Sequence, residues 1–87
     1  MDASQPSLIK ESQVFYMDLM KVPVGQEYII EHIAAGDAEL ENFLFTLGCY
    51  SGEPITVVSR RRSSCTVAIK DSRYSIDPQL ARAITVA

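Results

Sequence analysis

Few residues in this chain are of the types that do chemistry. They are one histidine, His32, two cysteines, Cys49 and Cys65, the carboxylates Asp37, Glu39 and Glu41, and a run of three arginines, Arg60, Arg61 and Arg62. His32 is the weak candidate for metal binding. It stands among Ile29, Ile30, Glu31 and Ile33 with no His-x-x-His or Cys-x-x-Cys companion, whereas a metal needs several convergent ligands. The cysteines lack the close spacing of a zinc motif and are too few for a disulfide scaffold; one bridge between them stays open, but nothing requires it. An unpaired cysteine usually behaves as a small buried hydrophobe, so both thiols are expected in the core rather than in ligation or redox work. Asp37, Glu39 and Glu41 resemble a set of oxygen ligands for a hard cation. On a helix, however, Glu39 and Glu41 diverge by about 200°, and a solvated helix start is the expected reading. No nucleophile accompanies His32 and no glycine-rich phosphate loop precedes a helix, so no catalytic residue is assigned.

The arginine run is the densest charge in the sequence. It reads either as a solvated hairpin tip or as a contact for an acidic partner or an anionic membrane, since each guanidinium can hold a carboxylate or phosphate with two bonds. Three cations fall short of the 4–8 of a polybasic lipid signal, which favours a protein partner. Tyr50 is a candidate aromatic anchor beside it.

The elements that must position these residues follow from periodicity and punctuation. Residues 1–15 read as a polar tail in which order is not expected. The stretch 26–33 is rich in β-branched and aromatic residues and predicts a strand. Asp37 is a good N-cap, Leu40, Phe43, Leu44 and Leu47 share one helical face, and Gly48 offers the left-handed position that ends many helices. A helix is therefore expected from about Ala38 to Leu47. Strands are expected over Pro54–Ser59, around Cys65–Ile69, where Cys65, Val67 and Ile69 share one face, and over Arg73–Ile76. Arg60–Ser64 form the tip of the first hairpin and Asp71-Ser72 the turn of the second. Asp77-Pro78 predicts a single helical turn through Ala81, and Ala83–Val86 a closing strand.

Composition bounds what such elements can do. At 87 residues, 47% of them hydrophobic and 22% charged, the chain fits one globular domain, the usual range being roughly 100–200 residues. A chain this short buries only about 60–65% of its unfolded surface, which leaves little room for an enzyme site. A net charge of −3 and a pI near 4.9 argue against a nucleic-acid binder. That total hides a division. Residues 1–53 hold two lysines against nine acids, net −7, while residues 54–87 hold five arginines and one lysine against two acids, net +4. No secretory signal and no span of about 18 apolar residues is found, so a cytoplasmic location without membrane insertion is expected.

The succession of short strands and tight turns predicts a mainly β fold, a small barrel with one short α-helix and a helical turn before the last strand. At this point the sequence resembles the FeoA family. The resemblance covers roughly Leu19 to Val86. It opens on Leu19-x-x-Val22-x-x-Gly25, is most specific in the run Leu40–Val58, where a helix ends in Leu47-Gly48 and a second glycine, Gly52, precedes a strand, and closes on Ala83-Ile84-Thr85-Val86. Two features depart from the family pattern: Cys49 stands where an aliphatic residue commonly follows Leu-Gly, and Arg60–Ser64 replace a longer insert between the central strands. The resemblance implies an SH3-like barrel over residues 16–87 and a non-enzymatic cytoplasmic accessory of ferrous-iron uptake. It implies docking on the cytoplasmic, GTP-binding part of the transporter FeoB, for which the residues themselves offer Arg60, Arg61, Arg62 and Tyr50 as partner-binding candidates. No cofactor is expected; weak Fe²⁺ association is the alternative, with His32 its only candidate. A second functional expectation is a stand-alone relative of the SH3-like C-terminal domain of metal-dependent transcriptional repressors.

Overall fold

The computed structural model describes residues 16–34 and 36–87; the polar tail expected over 1–15 lies outside them. Among the described residues six strands and two helices follow one another as β1 (Met17–Asp18), β2 (Glu27–Ile33), α1 (Ala38–Thr46), β3 (Pro54–Arg60), β4 (Cys65–Ile69), β5 (Ser72–Ile76), α2 (Pro78–Arg82) and β6 (Ile84–Val86). The strands form one antiparallel sheet in the order β1-β6-β2-β3-β4-β5, so the last strand returns between the first two. The hydrogen-bonded ladder does not close, because β1 and β5 remain its two ends.

Two irregularities bend the sheet around its core. In β2 the pairing steps from Ile30↔Val86 to His32↔Thr85, which leaves Glu31 as an extra residue. Ile29 exchanges both backbone bonds with Ala87 at 3.0 Å, whereas Ile30 turns to the other side, donating to the Glu53 carbonyl and accepting from Gly52. In β3 the step from Val57↔Val67 to Ser59↔Thr66 leaves Val58 extra. Such bulges increase local twist and allow short strands to wrap a single cluster. That cluster is Leu19, Val22, Ile30, Leu44, Ile55, Val57, Val67, Ile69, Ile84 and Val86, with Cys49 and Cys65 among them, all nearly inaccessible to solvent. The result is the small barrel expected from the strand pattern, of the SH3-like type that the resemblance implies.

Most local expectations hold, with informative exceptions. Asp37 caps α1, accepting from the Glu39 N–H at 2.8 Å, and Asp77 caps α2, accepting from Leu80 N–H at 2.8 Å. The β4–β5 turn consists of Lys70-Asp71, not Asp71-Ser72: Ile69 pairs with Ser72, and Lys70 takes a positive φ of 55°. A lysine in that conformation gave no turn signature in the sequence. Arg60, expected at the hairpin tip, instead ends β3 opposite Cys65. Strand β1 was not legible at all, since Met17-Asp18 carries no period and exists only because β6 supplies its ladder. Phe43, placed on the buried helical face by spacing, is 47% exposed.

Gly48 fixes the exit from α1. Its φ is +97°, and a Cβ there would lie 3.4 Å from Ile69 Cγ2. The left-handed conformation costs an L-residue about 1–2 kcal/mol, while the approach to Ile69 is a van der Waals contact that adds little. On the left-handed φ alone, Gly48→Ala is expected to lower the free energy of unfolding by about 1–2 kcal/mol, measured as a reduced urea midpoint with an unchanged slope. An unchanged midpoint would show that the helix end can re-form without this geometry.

Candidate interaction surfaces

The three arginines do not act as one group. Arg60, at the end of β3, turns its guanidinium inward, and its Nη1 donates to the Leu19 carbonyl at 2.9 Å and to the Val22 carbonyl at 2.7 Å. These carbonyls belong to the turn after β1, which otherwise holds itself by the Asp18 carboxylate accepting from Met20 N–H at 2.8 Å and by Lys21 N–H bonding the Asp18 carbonyl. Arg60 thereby ties the β3 end of the sheet to a segment more than thirty residues earlier. Arg61 and Arg62 are exposed at the tip, where Arg61 N–H donates to the Ser64 carbonyl at 2.8 Å and closes a four-residue turn. Among the described residues neither pairs with a carboxylate.

Tyr50 is at the other end of β3. It precedes Pro54 by a tight turn in which Glu53 N–H donates to the Tyr50 carbonyl at 3.0 Å, and the seven residues of β3 span roughly 20 Å at about 3.3 Å per residue. The expected placement of Tyr50 beside the arginines is thus corrected. Its ring stacks on Phe45, with centroids 5.6 Å apart and planes at 10°. Both rings are substantially exposed, Tyr50 at 48% and Phe45 at 38%. The reason lies in helical geometry. Leu44 is the buried centre of α1, and at 100° per residue Phe43 and Phe45 fall on opposite flanks of it. Apolar spacing does not single out Phe45, which lies off the stripe of Leu40, Phe43, Leu44 and Leu47; an aromatic in that off-stripe position is its signal in the sequence.

His32 is exposed on β2, opposite Thr85. Among the described residues no three His, Cys, Asp or Glu side chains gather where a metal ion could sit. Asp37 has its carboxylate engaged in capping. Cys49 and Cys65 are free thiols, fully buried. Burial pushes the Cys49 thiol up to about 11 from an ordinary 9.0. It also raises Cys65, partly opposed by the positive charge of Arg60. A neutral buried thiol is a poor nucleophile and a poor ligand.

The FeoA domain family model matches residues 17–87, all but the start of the chain. The chain belongs to the FeoA family. The family is one of non-enzymatic accessory domains associated with ferrous-iron transport. Solved structures agree on the fold. The crystal structure of an iron uptake regulatory protein, FeoA, superimposes with a TM-score of 0.75 at 20% identity, covering 85% of this chain and 97% of that one. A manganese-dependent transcriptional repressor matches with a TM-score of 0.76 at 21% identity over 87% of this chain. A manganese complex of such a repressor gives 0.78 at 19% over 86%. This chain spans only 45% and 37% of the two repressor chains, so the likeness is to a part of them. No curated protein matches this chain in sequence. Among its described residues no helix is long and apolar enough to cross a membrane.

Proposed function

We propose that this FeoA-family chain is a non-enzymatic accessory of ferrous-iron uptake that docks on the cytoplasmic, GTP-binding part of a FeoB transporter. The family match over 17–87 is the observation that carries this reading. In it Fe²⁺ is the transporter's cargo, and no cofactor is required of this chain. The exposed pair Arg61 and Arg62 steers encounter with an acidic surface, while apolar side chains near the contact supply affinity. Arg60 supports the tip from behind through its bonds to Leu19 and Val22.

Titration of the cytoplasmic part of the cognate FeoB with this chain, with and without guanine nucleotide, tests the reading. Binding is expected, and Arg61→Ser with Arg62→Ser is expected to weaken it about tenfold and to flatten its salt dependence. Arg60 is left in place so that the fold is undisturbed. No interaction at high protein concentration would sink the docking; unchanged affinity in the double variant would remove the arginines from it.

The likeness to the manganese-dependent repressors favours a second reading, a stand-alone regulatory module of the kind those proteins carry. It predicts association with a regulator rather than with the transporter.

A further inference from the structure

The two ends of the β3–β4 hairpin carry opposite charge, and among the described residues neither finds its complement in an ion pair. At the α1 end, Phe45 and Tyr50 form an exposed stack. Glu41 lies one turn before Phe45 on the same side of the helix. The turn that carries Tyr50 is fastened to β2 at Glu31, where the Ser51 hydroxyl donates to the Glu31 carbonyl at 3.0 Å, and the Glu31 side chain is exposed. Among the described residues the one ion pair is Lys70–Glu53, at 3.7 Å, which leaves Glu31 and Glu41 uncompensated. At the opposite end Arg61 and Arg62 are exposed and equally without a carboxylate. With β3 roughly 20 Å long, a molecule cannot lay its own arginines on its own aromatic stack.

We propose that the chain associates with a second copy of itself, head to tail: the Arg61-Arg62 tip of one molecule sits on the Phe45–Tyr50 stack of the next, between Glu31 and Glu41. The chemistry of the two ends matches group for group. A guanidinium stacks on an aromatic face and pairs with a carboxylate at once, and arginine with aromatic residues are the types that anchor interfaces. The split of charge seen in the sequence, negative before residue 54 and positive after it, becomes the polarity of the assembly. The inference goes beyond the proposed transporter docking and its test contains this chain alone, so the failure of one leaves the other standing.

Sedimentation of the full chain over a range of concentrations is the test. A mean mass that rises with concentration is expected at low salt, and about tenfold weaker association on raising salt from about 0.05 M to about 0.5 M. The Arg61→Ser/Arg62→Ser variant and the Phe45→Ser/Tyr50→Ser variant should each be monomeric, with circular dichroism confirming that they are folded. Their mixture should form a 1:1 complex and nothing larger, because each supplies one intact half. Glu31→Lys/Glu41→Lys, which leaves every apolar group in place, should also be monomeric alone and should regain association with Arg61→Glu/Arg62→Glu. A wild-type chain that stays monomeric at low salt, or variants that associate as the wild type does, or a mixture that fails to form the 1:1 complex, would each overturn the proposal and leave the stack to a basic segment of another protein.

Discussion

Arg60→Met lowers the free energy of unfolding by about 3 kcal/mol, the largest loss expected from any surface-reaching residue here. Two carbonyls, those of Leu19 and Val22, rely on one Arg60 nitrogen. The residues bearing them are themselves fully buried, so methionine leaves the carbonyls without their protein donor. Hydrogen bonds from a charged donor contribute about 1.5–3 kcal/mol each, and orphaned acceptors add a desolvation penalty. Since the two bonds share one guanidinium, their contributions do not simply add. For a domain of this size about 3 kcal/mol corresponds to a fall of roughly 12–24 °C in Tm. Arg60→Lys, retaining charge and one donor direction, should recover part of the loss. The measurement is urea unfolding of the three proteins side by side. If Arg60→Met unfolds within about 0.5 kcal/mol of the wild type, which is the usual range for an inconsequential surface change, the tether does not hold the β1 turn.

The second expectation concerns pH. The Cys49 thiol has its pKa raised by burial to about 11 from 9.0. Below pH 9 the thiol is neutral both in the folded and in the unfolded chain, so it adds no pH dependence. Between pH 9 and pH 11 the unfolded chain gives up its proton first, and the folded state loses stability relative to it. The stability is therefore fully present below the unfolded value and is lost as pH climbs to the folded one, about 2–3 kcal/mol in all. Tyrosines and lysines titrate over the same range, which makes the comparison with Cys49→Ala decisive. That variant removes this one ionisation, and its stability should fall less steeply from pH 8.5 to 11. Parallel profiles would mean that the thiol is not held neutral by the core. The cavity left by the lost sulfur offsets both ends of the profile alike and does not alter its slope.

How far the sequence reached differs between elements for identifiable reasons. Local interactions were legible. The caps Asp37 and Asp77 announce helices because a short carboxylate satisfies free N–H groups two or three residues on, and Gly48 announces a stop because only glycine takes its φ of +97° without strain. The alternation of Cys65, Val67 and Ile69 gave the buried face of β4 and with it the burial of one thiol. What failed depended on partners distant in the chain. Strand β1 needs β6; the second turn starts one residue early because Ile69 and Ser72 are in register; and Phe43 is left half out of the core because α1 seats Leu44, not the whole predicted stripe, against the barrel.

By itself the sequence determined the small mainly β domain, its family, its dearth of catalytic groups and the separation of its charge, since each of these is a matter of composition or of contacts within a few residues. Only the tertiary structure decided that the arginine run divides into one internal tether and two exposed cations. It alone placed Tyr50 at the far end of β3 from them and on Phe45 instead. A run of like residues reads as one feature along the chain, but a strand alternates its sides from one residue to the next and then ends in a turn. Which arginine meets a carbonyl and which meets water is therefore fixed by what packs across from it.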